Sequence, residues 1–128
     1  MSTGSTLRVV AIVGVSLLVT GAVGAQDFPQ RPLRMVVPFA PGGGTDVTAR
    51  LVAGRLAERI GQPVLVDNRP ANSGIVGAEI VARSVPDGHT LLVASVTFAI
   101  STALQKNLPY DGLRDFAPVT MLISAPMG

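Results

Sequence analysis

Apolar and polar positions alternate along this chain with two different periods. From Leu33 to Pro38 the residues are nearly all apolar, bounded by Pro32 on one side and a glycine run, Gly42 to Gly44, on the other. A short apolar run between turn signals predicts a buried strand. From Thr45 onward, Val47, Leu51, Val52, Leu56 and Ile60 recur at helical spacing, while Arg50, Glu58 and Arg59 occupy the other side. That predicts an amphipathic helix burying the first set. Gly61 stands where a left-handed C-cap is expected, and Pro63 prevents continuation.

The alternation then repeats. Val64-Leu65-Val66 predicts a second strand, and Asn68-Arg69-Pro70-Ala71-Asn72-Ser73-Gly74 a turn-rich loop. A second helix follows from about Ile75 to Ser84, expected to bury Val76, Ile80 and Val81. Pro86-Asp87-Gly88 is a turn, proline presetting φ and glycine accepting a positive one. Thr90 to Ala94 predicts strand three, Ala99 to Lys106 a short helix, and Val119 to Ile123 a fourth strand. Strands alternating with helices through short connections predict an α/β fold, a parallel sheet flanked by helices on both faces. In such open sheets ligands bind beyond the carboxyl ends of the strands, where all three predicted strand–helix loops lie.

Composition narrows the class. One domain fits 128 residues. A hydrophobic content of 48% with 14% charged residues suits a buried core. The Lys/Arg residues are scattered and aromatics make up only 4%, which argues against nucleic acid as a partner. The absence of cysteine excludes disulfides, thiolate metal sites and cysteine nucleophiles. Residues 1–25 read as a signal peptide: Arg8 is the only charge, Val9 to Val23 is apolar or small, and Val23-Gly24-Ala25 offers a cleavage site after Ala25. The strongly apolar core, Val9 to Val19, falls short of the roughly 20 residues of a spanning helix. Export to the periplasm or beyond the cell is therefore expected, leaving residues 26–128 as the mature α/β portion.

The chemistry concentrates in the loops. Phe39-Ala40-Pro41-Gly42-Gly43-Gly44-Thr45-Asp46 joins a strand to a helix N-terminus, where the first backbone N–H groups lack partners and the dipole favours an anion. A tight turn with Thr45 or Asp46 capping the helix accounts for the same residues. No Walker or dinucleotide fingerprint is present, so a cofactor is not expected. Asp46 aimed directly at an anion would repel it, so it is expected to cap the helix or orient a polar group. Ser73 and Gly74 open the second helix, and Ser95 and Thr97 follow strand three as hydroxyl donors. Arg69 either attracts an anion or pairs with Asp67. His89, the only histidine, lies beside the 86–88 turn, at the far end of its strand from the loops. No catalytic elbow, metal-ligand cluster or carboxylate dyad appears, which favours a binding module over an enzyme.

The ordered set Arg31-Pro32-Leu33-Arg34, Val37 to Asp46, Ala49-Arg50-Leu51, Gly61-Gln62-Pro63-Val64, Asn68-Arg69-Pro70, Val81-Ala82-Arg83, Pro86-Asp87-Gly88, Leu108-Pro109-Tyr110-Asp111 and Asp115 to Val119 resembles the opening of the tripartite tricarboxylate transporter substrate-binding (Bug) family. The resemblance spans Phe28 to Gly128. It implies the first domain of a periplasmic-binding-protein-like fold of two α/β domains, a receptor closing on a small carboxylate and delivering it to membrane transporter subunits. It also maps the family's first ligand loop onto Phe39 to Asp46 and its second onto Ala71 to Gly74. Three departures stand out: the second loop is poorer in glycine, His89 replaces a tyrosine, and Ser101-Thr102 replaces Asn-Pro.

Family members carry a second domain, so the resemblance implies that residues 26–128 form a partial α/β substrate-binding domain, half a cleft, expected to bind poorly alone. An α/β enzyme using the glycine loop as a phosphate or oxyanion cradle is the alternative from another class. A non-functional fragment is the third.

Overall fold

The computed structural model describes residues 27–124. The signal peptide expected over 1–25, with its cleavage site after Ala25, lies outside the described residues, as do Gln26 and residues 125–128. Elements follow in the order β1 (Leu33–Val37), α1 (Gly44–Ile60), β2 (Val64–Asn68), α2 (Ile75–Ala82), β3 (Thr90–Leu92) and α3 (Val96–Leu104), with a single 3₁₀ turn at Asn72–Gly74 leading into α2. The three strands form one parallel sheet in the order β2-β1-β3. Met35 sits opposite Val66 on one side and Leu91 on the other.

That order follows from two right-handed crossovers in opposite directions, which place α1 and α2 on opposite faces of β1. Side-chain alternation in the strands then builds two cores. On the α1 face, Met35, Val37 and Val93 pack with Ala49 and Ala53, joined by Val64, Val66 and Leu91. On the α2 face, Ile75 and Ala78 pack with Tyr110, joined by Leu92, Phe98 and Phe116. Val36 and Val37, in the central strand, are wholly buried, each contributing roughly 1.5–3 kcal/mol by leaving water. Phe98, Tyr110 and Phe116 form an aromatic cluster with centroid separations of 5.1–5.9 Å.

Several sequence expectations shift. Val47 and Leu51 face outward at 50% and 68% exposure, and α1 buries Asp46, Ala49 and Ala53 instead. A helix lying close on a sheet takes small side chains at the contact, so the largest apolar residues do not mark the inner face. Likewise α2 buries Ile75, Gly77 and Ala78 and stops at Ala82, while Val76 is outward and Ile80 and Val81 are half-buried. The first helix starts one residue early, at Gly44, and the second strand runs on to Asn68. Strand three ends at Leu92, and α3 begins at Val96 rather than Ala99 and ends at Leu104. Val119 to Ile123 is irregular and exposed and forms no strand, having no neighbour to pair with among the described residues.

Candidate functional site

In the order β2-β1-β3, connections leave β1 toward one side and arrive at β3 on the other. A crevice opens beyond the carboxyl ends of such a pair, and the loops that flank it here are the β1–α1 and β3–α3 corners. The N-termini of α1, α2 and α3 all fall at this edge, because each helix follows a strand.

The β1–α1 corner is built around Asp46. Its side chain is buried in the first turn of α1, the residue being 3% exposed. The N–H of Gly42 donates to its Oδ2 at 2.9 Å, Arg50 Nε donates to the same oxygen at 3.0 Å, and Asn68 Nδ2 donates to Oδ1 at 2.9 Å. Asn68 also donates to the carbonyl of Phe39 at 3.2 Å and accepts from Arg50 at 3.1 Å. One carboxylate thus ties the loop's start, the helix and the end of β2 together. The Arg50 hydrogen bond first, then those from Gly42 and Asn68, hold Asp46 down at about 2, well below the usual carboxylate range.

This arrangement turns the Asp46 charge toward Arg50, Asn68 and the N–H of Gly42. Neither Asp46 nor Thr45 caps α1 from the usual position: Gly43 is the N-cap and receives no side-chain bond. Gly42 has φ +85°, a conformation that favours glycine. The N–H groups of Gly43, Gly44 and Thr45 have no acceptor among the described residues, and both glycines are exposed. Three donors without an acceptor among the described residues thus lie at the positive end of a 17-residue helix.

Next to this corner lies a shallow crevice of about 10 Å³ between the ends of β1 and β3, α2 and α3. Of the residues expected from sequence, Phe39, Ser73, Gly74, Ser95 and Thr97 line it. Ala40, Pro41, Gly42, Gly43, Gly44, Thr45 and Asp46 do not; they form the corner that continues from Phe39. Ser95 caps α3, accepting from the Thr97 N–H at 3.3 Å, and the two hydroxyls bond each other at 2.7 Å. Ser101 and Tyr110 also line the crevice and are not marked by any sequence signal of their own. A start of α3 at the Ser95 cap would have put Ser101 on the crevice side. Burial pushes the Tyr110 phenol upward.

Two charged candidates fall outside the site. Arg69 pairs with Asp67 at 3.0 Å, and Arg34 binds the same carboxylate. Burial opposes ionisation of Asp67, but the Arg34 and Arg69 hydrogen bonds more than offset it and keep the group below its ordinary value. His89 lies at the amino end of β3, packed edge-on against Phe28 at 4.8 Å and 3.3 Å from Asp87, away from the crevice. No group of three or more potential metal ligands is found among the described residues.

Comparison with known proteins bears on what such a corner serves. Residues 48–128 match the tripartite tricarboxylate transporter family receptor (TctC). Protein BugT of Bordetella pertussis is 40% identical over 125 residues, which cover 94% of this chain and 38% of BugT. Among solved structures, a periplasmic transporter is 47% identical with a TM-score of 0.68, over 73% of this chain and 32% of its own. MatC of Rhodopseudomonas palustris with bound malate is 43% identical with a TM-score of 0.70, over 74% of this chain and 33% of its own. The chain thus spans about a third of the length of the relatives it matches. The family is one of substrate-binding receptors rather than enzymes, its members being periplasmic binding proteins, which sets aside the enzymatic alternative. With a family match over most of its length and relatives at this identity, the chain belongs to the tripartite tricarboxylate transporter receptor family.

Proposed function

We propose that this chain supplies one wall of an extracytoplasmic receptor for a small carboxylate, which is handed on to a tripartite tricarboxylate-type membrane transporter after export through a leader at residues 1–25. The observation that carries the reading is the trio of unengaged amides at Gly43, Gly44 and Thr45, on the corner that continues from Phe39 and is held by a carboxylate paired with Arg50. Malate bound to a relative 43% identical supports a dicarboxylate of similar size as the ligand. The ligand's charge is met by backbone N–H groups and helix dipoles, since no charged side chain lines the crevice. The crevice offers only about 10 Å³, far below the roughly 300–1,000 Å³ of a pocket that buries most of its ligand. Affinity of the 128-residue chain for malate is therefore expected to be weak, on the order of millimolar.

Gly44→Pro is the discriminating variant. Gly44 is the first helical residue, where proline's fixed φ suits the helix and its missing N–H has no intrahelical role. Gly43, at φ −76° and ψ 166°, already has the extended backbone that a following proline demands. A Cβ at Gly44 meets nothing within 4 Å. The variant is expected to melt within a few degrees of the wild type while losing most malate-induced shifts of the Gly43 and Thr45 amides in NMR titrations. Unchanged malate binding by this variant would overturn the reading, and so would submicromolar binding by the wild-type chain.

A further inference from the structure

Two uncharged stretches of this chain lie without strand partners, and their needs are complementary. The first is the outer edge of β3. The order β2-β1-β3 makes β2 and β3 both edge strands, and edges are ordinarily blunted by charges and prolines that discourage a further strand. β2 has these guards: Pro63 precedes it, Asp67 lies within it, and Arg69 and Pro70 follow it. β3 has none. From Thr90 to Leu104 there is no charged residue and no proline, and β3 pairs only with β1 among the described residues.

The second stretch is Val119 to Ile123, with Val119, Met121 and Ile123 at 81%, 77% and 64% exposure. Val119, Thr120 and Ile123 are β-branched and favour a strand, and no charge interrupts Phe116 to Ile123. Its base is pinned on the α2 face, where Phe116 packs edge-on against Phe98 at 5.1 Å and Tyr110 at 5.5 Å. From there the segment runs on without joining its own sheet. A strand-forming segment without an edge and an edge without a strand, on one polypeptide, are the two parts that strand addition between copies requires.

We propose that Val119 to Ile123 of one copy adds as a strand to the open β3 edge of a second copy, so that the partner of this surface is the chain itself. Main-chain hydrogen bonds supply the affinity, and the absence of charge on both sides lets the two stretches approach.

Sedimentation equilibrium of the 128-residue chain and of two proline variants tests this. Alternate residues of an added strand turn their N–H toward the neighbour, so Thr120→Pro and Met121→Pro remove one pairing donor and one outward donor between them. Wild type is expected to form dimers or larger species. One variant should weaken association about tenfold, and the other should leave it nearly unchanged. Both positions are exposed, so the monomer should fold alike in all three. The chain has no cysteine of its own, which allows a second measurement: Thr90→Cys and Thr120→Cys chains are mixed and treated with a short bis-maleimide. Products joining the two different variants should exceed those joining like variants. A monomeric wild type overturns the proposal, and so does association that ignores both prolines, as contact through the leader or another apolar segment would. A predominance of cross-links between like variants overturns it too.

Discussion

The corners opening α1 and α2 stand at the same edge of one sheet but are held in opposite ways. The first is secured by polar side chains: Asp46 gathers donors from Gly42, Arg50 and Asn68, and the helix behind it rests on the small residues Ala49 and Ala53. The second has no such network. It is secured by contact, α2 lying so near the end of β1 that a Cβ added at Gly77 would fall 2.8 Å from Pro38 Cβ, and one at Gly74 3.3 Å away. A hydrogen-bonded corner leaves its outward-facing amides available. A jammed corner instead fixes where a wall stands, and it is α2 and its turn that bound the crevice.

The largest expected effect comes from cutting the first corner's centre. Asp46→Asn replaces an acceptor of three hydrogen bonds with a group that turns a donor toward donors, and it should lower the melting temperature more than an alanine at Gly77 does. Because folding lowers the Asp46 pKa from 3.8 to about 2, its contribution is fully present above about pH 4 and is lost as pH falls toward 2. The gap in melting temperature between wild type and Asp46→Asn should therefore be wide at pH 7 and narrow near pH 2.5. A gap independent of pH would refute the assignment of this carboxylate as the corner's charged centre.

Gly77→Ala tests the second corner. Overpacking against a proline ring costs about 1–3 kcal/mol, which outweighs the roughly 1 kcal/mol that alanine contributes over glycine in a helix. A net loss on the order of 1 kcal/mol is expected in urea denaturation. The companion is Gly54→Ala in α1, where a Cβ meets nothing within 4 Å. The same substitution should there raise stability by about 0.5–1 kcal/mol. Equal effects at the two glycines would show that the contact between α2 and Pro38 does not distinguish the corners.

Sequence patterning makes the skeleton legible, because strand, helix and turn signals are local. Gly61 does cap α1 in the left-handed conformation, at φ 68°, and β1 lies where its apolar run predicts. The inner face of α1 is hidden because hydrophobicity ranks valine and leucine above alanine, while the sheet surface selects by size. Asp46 conceals the true stripe further, since a polar residue at a buried position is not expected until its donors are known. Asn68, the partner that completes the corner, comes from another strand 22 residues away. No local pattern encodes that pairing. Ser95 is recognisable as polar but not as the cap that starts α3, which moves the predicted helix past Val96. Val119 to Ile123 shows the reverse: β-branched residues state a preference, but a strand exists only where a neighbour accepts its hydrogen bonds.

The ties that Asn68 makes to both Phe39 and Asp46 bear on speed as well as on shape. A corner pinned from behind on both sides has little disorder left to surrender when an anion arrives. On the proposed reading, capture at Gly43 to Thr45 would then be governed by diffusional encounter and by how fast the anion sheds water, with no loop rearrangement to slow it.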